Sequence, residues 1–423
     1  MADKNIGNLK GARAARAVIS GQYSESKYLN IMKITHTLIK NGAMSKGEIA
    51  SAINVSQSTV FSTVSELVKR KLVYYTRPES LRRDNSKGRH SSLIDIDQSS
   101  CFTMGIVVNR KTITAAISTL RLGILERTSS NLYSTKPEDI LAQISAAIKQ
   151  LLLNNCLEEK KIVGCTIAIV SPFWEPLGIE IVSKLPYSEK VERYFGERYS
   201  FPVFLQTLAG AGGLYAYEQL SRNYENTVLN YYDLDDMLYF STISFNTAAK
   251  TVIPETSYLG NLVIAGGPSP APPHSLLIIP IKARFSYNSI FNEVIKNLGG
   301  PDKQRWLEMK DELRTSDQRL NFYLDEAKHG NVELMTAIAM RICQAAITFY
   351  NHSEYEGAEK IILSGVPGGN TGKSFIKKTI EERLDEKTLK KFVFSDDSET
   401  SILLGACANS VKEGFFDYFL SIQ

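Results

Sequence analysis

Between Ser56 and Thr63 the chain sets Ser56, Gln57, Ser58, Thr59, Ser62 and Thr63, short side chains that each carry a hydrogen-bond donor or acceptor. On the opening turns of a helix such groups can meet base edges and phosphates, and the helix N-terminus adds a dipole that favours phosphate. Lys69 follows them, and Ser45 and Lys46 precede them at the start of another candidate helix. Downstream, the loop from Arg77 to His90 holds Arg82, Arg83, Lys87, Gly88 and Arg89, positive charge placed where it could meet a phosphate backbone or a minor groove. The chemistry on offer is recognition of a polyanion.

The elements needed to position these groups are legible around them. Ser45 followed three residues later by Glu48 is a capping-box start for a helix with Ile49, Ala50 and Ile53 inward. Asn54-Val55-Ser56 ends it, and Ser56 caps a second helix whose Val60, Val64, Leu67 and Val68 recur at the spacing of one buried face. The amphipathic run from Tyr28 to Ile39, closed by Asn41-Gly42, supplies a third helix. Leu72 to Tyr75 and Ser92 to Ile96 pair as a hairpin, or wing. Together these predict a winged helix-turn-helix over 24–98 that binds operator DNA. The competing readings are a three-helix module that binds protein and a basic loop that is merely solvated.

Charge divides the chain the same way. Residues 1–95 hold 16 Lys and Arg against 7 Asp and Glu, while the remainder holds 33 against 38. A basic N-terminal quarter on a mildly acidic body is what a phosphate-approaching domain requires. At 423 residues and 43% apolar content the chain can bury several cores. It shows no membrane-length apolar run and no signal-peptide core at its start, so a cytoplasmic protein is expected. Cys101, Cys156, Cys165, Cys343 and Cys407 form no C-x-x-C pair and sit in apolar segments, which points to reduced, mostly buried thiols. The five histidines are dispersed, so no metal site and no cofactor is expected.

From Cys101 onward strands and helices alternate. Phe102–Val108, Thr112–Leu120 and Gly123–Glu126 read as three strands, Pro137–Leu153 as a helix and Ile162–Val170 as a further strand. A second run of the same order begins near Leu238, with strands at Tyr239–Phe245, at Ala248–Ile253 and near Leu262, and later at Lys360–Leu363. This order predicts an α/β body of two related lobes with a cleft between them, of the actin and sugar-kinase type.

Five stretches, in order, carry a family resemblance: Lys87-Gly88-Arg89-His90 leading into Ser92–Ile96; Val170-Ser171-Pro172 through Gly178 with Ser183–Tyr187; Glu197–Val203 leading into Gln206–Leu214; Lys328-His329-Gly330-Asn331; and Ile361–Gly365 with Gly368-Gly369. With a winged helix in front, the chain resembles the regulators of the bacterial ROK family of repressors, open reading frames and sugar kinases. The resemblance implies the two-lobed fold, operator binding, repression, carbohydrate metabolism as the regulated process, and a sugar or sugar-phosphate effector. It also exposes departures. Where family kinases carry an Asp-x-Gly-x-Thr phosphate loop this chain has Val107-Val108-Asn109-Arg110-Lys111, and where they carry the catalytic Asp it has Leu208. Leucine cannot accept a proton from a sugar hydroxyl. The second phosphate loop reads Ser244–Ala248, the sugar- and zinc-binding motif reads Gly260–Ile264, and a proline-rich turn, Gly266–Pro273, replaces the Cys-x-Cys element.

The resulting expectation is a transcriptional regulator with a non-catalytic body. Its parts are a basic arm at 1–23, the winged helix at 24–98, a first lobe at 99–208, a second lobe at 209–395, and a helix at 396–423 returning to the first lobe. Gln206, Thr207, Asn246 and Asn261 are the candidate effector-cleft residues, with a regulatory protein as the other candidate partner. One helix covers few base pairs, so a homodimer or dimer of dimers is expected. The rival classes are a sugar kinase with an accessory DNA-binding head and a protein-binding adaptor.

Overall fold

The first helix, α1 (Glu25–Asn41), starts where the Ser24 hydroxyl accepts the Lys27 amide at 3.2 Å, and it stops at Gly42, whose φ of +84° few side chains would tolerate. These contacts belong to a computed structural model. It describes residues 24–76, 92–170, 173–182 and 185–220; beyond them it describes 228–233, 239–244, 255–260, 358–364 and 398–422, with shorter stretches between 295 and 394. Strand β1 (Met44–Ser45) leads into α2 (Lys46–Ile53), which opens with a full capping box: the Ser45 amide donates to Glu48 Oε2 at 2.7 Å and the Glu48 amide to Ser45 Oγ at 3.3 Å. Asn54, left-handed at φ 55°, ends α2, and Ser56 caps α3 (Gln57–Lys69). Strands β2 (Val73–Thr76) and β3 (Leu93–Ile96) then form a three-stranded sheet in the order β1-β3-β2, with Val73 opposite Ile96 and Met44 opposite Ile94. The two-residue β1 went unforeseen because it is too short to show alternation.

The first lobe is a five-stranded sheet in the order β10-β7-β4-β5-β6. Its strands are β4 (Phe102–Val108), β5 (Thr112–Thr119) and β6 (Ile124–Asn131), then, after helix α4 (Pro137–Asn154), β7 (Ile162–Ile169). A short α5 (Trp174–Leu177), a hairpin of β8 (Glu180–Val182) with β9 (Leu185–Tyr187), and α6 (Glu189–Gly196) precede β10 (Val203–Thr207), which runs parallel to β7. Strands β4 and β7 are wholly buried, as continuous apolar runs in a sheet covered on both faces must be. Strand β6 continues past the expected Glu126 because Arg127–Asn131 pair on the outer edge with little to bury.

Helix α7 (Leu208–Leu220) follows β10 directly. The next described elements are β11 (Val228–Asp233), β12 (Tyr239–Ser244), β13 (Glu255–Gly260), α8 (Gly300–Glu312), β14 (Ala358–Ser364), α9 (Glu386–Leu389) and β15 (Phe392–Phe394). Their strands form a second five-stranded sheet in the order β13-β12-β11-β14-β15, the same meander-then-parallel sequence as the first. The second run therefore begins at Val228, one strand earlier than the sequence suggested. The tyrosines and Asn230 of β11 break the simple apolar alternation that marks a strand. The expected strand at Ala248–Ile253 and the one near Leu262 lie outside the described residues, as do most of the helical faces between 288 and 350.

The chain ends in α10 (Ser398–Ser421). Among the described residues, one compact unit gathers those up to Leu220 and from Thr400 on, and a second gathers those from Thr256 through Glu399 with β11 and β12. Helix α7 thus sides with the first lobe, past the expected break after residue 208. A Cβ on Gly405 of α10 would lie 1.7 Å from the Ala211 carbonyl oxygen of α7, so the two helices are in backbone contact there. Helix α10 also closes the winged helix. Tyr28, Ile31, Ile34 and Leu38 of α1, with Val64 and Leu67 of α3, share one apolar core with Phe415, Phe416 and Phe419 of α10 and with Leu120 and Val163 of the first lobe.

Candidate nucleic-acid interface

Helix α3 buries one face and presents the other. Val60, Val64 and Leu67 are fully buried, and Gln57, Ser58, Phe61, Ser62, Ser65 and Lys69 are exposed. The N-cap is a small network: Ser56 Oγ accepts the Thr59 amide at 3.1 Å and lies 2.8 Å from Thr59 Oγ1 and 2.7 Å from Ser58 Oγ. The Ser62 hydroxyl donates back to the Thr59 carbonyl at 3.1 Å and that of Ser65 to the Phe61 carbonyl at 2.7 Å, which leaves their oxygens as acceptors facing outward. Expected contact residues Ser56, Gln57, Ser58, Thr59 and Ser62 are therefore together on one turn and a half. Thr63 is not with them. It is 3% exposed, its Oγ1 donates to the Thr59 carbonyl at 3.0 Å, and its place between Val60 and Leu67 assigns it to the core stripe.

Ser45 caps α2 with its hydroxyl, and Lys46 is held by rings. Its ammonium sits 4.3 Å from the centroid of Phe61 on α3 and 5.4 Å from that of Tyr75 on β2. Phe61 is 53% and Tyr75 43% exposed. Neither ring was among the expected contacts. The signal was available: Phe61 stands four residues after Gln57, on the polar face, out of register with the buried valines. Arg82, Arg83, Lys87, Gly88 and Arg89 lie outside the described residues, as do Asn246 and Asn261.

The lobe residues expected to face an effector turn inward. Gln206 and Thr207 are fully buried; Gln206 Nε2 donates to Asn409 Oδ1 at 3.3 Å, Asn409 Nδ2 to Thr166 Oγ1 at 3.3 Å, and the Gly210 amide to Thr207 Oγ1 at 2.7 Å. Their polar groups are hydrogen-bonded to α10 and to the start of α7. At the β4–β5 turn, where the resemblance places a phosphate loop, the Asn109 carboxamide oxygen accepts the Lys111 amide at 2.8 Å and the Thr112 amide at 2.6 Å. Val107 and Leu208 are both 2% exposed, packed as core.

The expectation of buried thiols holds at Cys101, Cys165 and Cys407, and fails at Cys156, which is exposed; Cys343 lies outside the described residues. Burial pushes the Cys101 thiol up to about 12 and that of Cys407 to about 11, and it raises Cys165 as well. No described helix is long and apolar enough to cross a membrane.

No protein-family profile matches the sequence, and no curated protein matches it. Solved structures do. A ROK family transcriptional regulator, a homologue of the Escherichia coli MLC protein, superposes with a TM-score of 0.59 over 94% of this chain and 100% of its own, at 14% identity. The chain shares the fold of that protein. A ROK family glucokinase from Streptomyces griseus in complex with glucose and AMPPNP matches 72% of this chain and 98% of its own at 10% identity, with a TM-score of 0.46. A ROK family protein from Streptococcus pneumoniae in complex with sucrose matches 74% and 98% at 15% identity, with a TM-score of 0.43. The likeness to the ROK regulator, over 94% of this chain, takes in winged helix and body alike.

Proposed function

We propose that this chain is a sequence-specific, DNA-binding transcriptional regulator that acts as a repressor, with a body that has no catalytic role. The observation that carries the reading is the exposed face of α3: capped by Ser56, lined by Gln57, Ser58 and Ser62, and flanked by Lys46 and Lys69. A helix so equipped, in a winged head, has groups for base edges along its face and cations for phosphate at its margins. The basic loop at Arg82, Arg83, Lys87 and Arg89 adds to the same surface in this reading, and a homodimer supplies the second half-site. Carbohydrate metabolism is the regulated process by resemblance alone.

The non-catalytic body is supported by two substitutions with structural consequences. Asn109 fills with its own side chain the backbone donors that a phosphate would need, and Leu208 puts a core residue where a base would stand. An effector, whether a sugar or a regulatory protein, then acts through the body on the spacing of two heads.

The test is selection of duplexes from a random-sequence pool by the full-length protein, followed by titration of the enriched sequence. Ser62→Trp abolishes preference for that sequence over random DNA, and Lys69→Ala weakens both and lowers the salt slope by about 0.9. Absence of any enriched sequence refutes the proposal, and ATP-dependent phosphorylation of a hexose by the pure protein refutes the non-catalytic body.

A further inference from the structure

An aromatic ring more than half exposed at the centre of an otherwise hydroxyl-lined helix face calls for a physical reason. Phe61 stands between Gln57 and Ser65 on the exposed stripe of α3, and it is 53% exposed. Nothing in the core of the head uses it. Its orientation is nevertheless set, because the Lys46 ammonium lies 4.3 Å from its centroid and also 5.4 Å from that of Tyr75, linking α2, α3 and β2 through one cation. A ring held this way is preorganised for an apolar contact.

The neighbours decide what that contact is. Ser58 and Ser62 beside Phe61 are exposed, with oxygens that can still accept a hydrogen bond, and the Lys46 charge against the ring is positive, so the surface is complementary to a polar, anionic partner that displays an isolated apolar group. In the major groove, thymine presents its C5-methyl among acceptors and donors. Apolar wedges that unstack bases work from the minor groove, where a recognition helix does not sit. Resting on the DNA-binding reading above, we infer that Phe61 is a specificity-determining residue that packs on a thymine methyl, and that Lys46 neutralises the adjoining phosphate while fixing the ring.

The test uses the full-length protein and the duplex it enriches from a random pool. Each thymine in turn is replaced by deoxyuridine, which deletes the methyl group and leaves every hydrogen-bonding edge. Wild type loses about three- to fivefold in affinity at one thymine under the helix, the worth of one buried methyl. Phe61→Ala binds the thymine and uracil duplexes equally at that position and keeps the wild-type salt slope, since it removes no phosphate contact. Phe61→Leu, apolar and exposed like the original, retains discrimination. The inference is overturned if no thymine is sensitive to loss of its methyl, if Phe61→Ala shows the same uracil penalty as wild type, or if Phe61→Ala leaves affinity unchanged because the ring docks a protein instead. Failure to enrich any duplex overturns the DNA-binding reading itself and this inference with it, an outcome distinct from the other three.

Discussion

Arg70, the residue that closes α3, lies over the ring of Phe419 at 4.2 Å and donates from Nη1 to the Phe419 carbonyl at 2.7 Å; it also donates to the carbonyl of Ile422. Arg70 therefore serves two helix ends, one with its backbone amide and one with its guanidinium. It stands at the C-terminus of α3 and donates to carbonyls at the end of α10, where the helix dipole is negative. Arg121 ties the other side of the head, donating to the Leu38 carbonyl at 3.0 Å and pairing with Asp95 of β3.

Arg70→Ala is expected to destabilise the head by about 2 kcal/mol, from a half-buried ring contact and charge-assisted hydrogen bonds. Lysine cannot reproduce the fork, so Arg70→Lys recovers only part of the loss. Urea unfolding followed by the fluorescence of the head's tyrosines measures it. A midpoint unchanged in Arg70→Ala would show that α10 and α3 are held by their apolar contacts alone.

Gly405 offers a harsher test with its own control. A methyl there meets the Ala211 carbonyl at 1.7 Å, backbone against backbone, whereas one on Gly196 at the end of α6 meets nothing within 4 Å. Gly405→Ala should cost at least the roughly 1–3 kcal/mol of ordinary overpacking. Gly196→Ala should be neutral or gain up to about 1 kcal/mol from helix propensity. Thermal melting of the two variants side by side reads the difference, and equal melting temperatures contradict the α7–α10 contact.

Thiol reactivity should follow burial. At pH 8 a thiol-alkylating reagent is expected to label Cys156 in the native protein and to leave Cys101, Cys165 and Cys407 unmodified until denaturant is added. Peptide mapping by mass spectrometry distinguishes the sites. The three buried thiols hold their protons well above pH 8, so raising the pH within the native range should not expose them.

The capping box gives a pH signature. Hydrogen bonds from the Ser45 backbone amide and hydroxyl hold the Glu48 carboxyl below its ordinary range. Because the folded value is the lower one, its contribution is complete above the unfolded carboxylate range and fades as pH falls through the folded value. Glu48→Gln keeps a side-chain acceptor at the third helical position but cannot titrate. Its stability should fall less steeply than wild type as the pH drops below the unfolded carboxylate range, which acid titration of helicity checks.

The head was the most legible part of the sequence, because each boundary carries a local device: Ser45 with Glu48, Asn54, and Ser56 each act within a few residues. Strands β4, β5 and β7 were equally clear, since full burial demands unbroken apolar runs. Strand β11 was missed because Asn230 and three polar-tipped neighbours blur that signal. Thr63 and Phe61 reverse what their residue types suggest for one reason: helical phase decides which side of α3 is buried, and it puts the threonine inside and the phenylalanine outside. Gln206 looked available because its partner, Asn409, is far away in the chain, and no local pattern announces a hydrogen bond across such a distance.

The shared core of the head and α10 has a consequence for the order of synthesis. Residues 28 to 96 leave the ribosome long before Phe415, Phe416 and Phe419, which cover their inner face. Domains that fold as they emerge do so N-terminus first, but the apolar interior of this head is sealed only once Phe415, Phe416 and Phe419 have been made. A nascent chain therefore carries α3 without the brace behind it until α10 has been made.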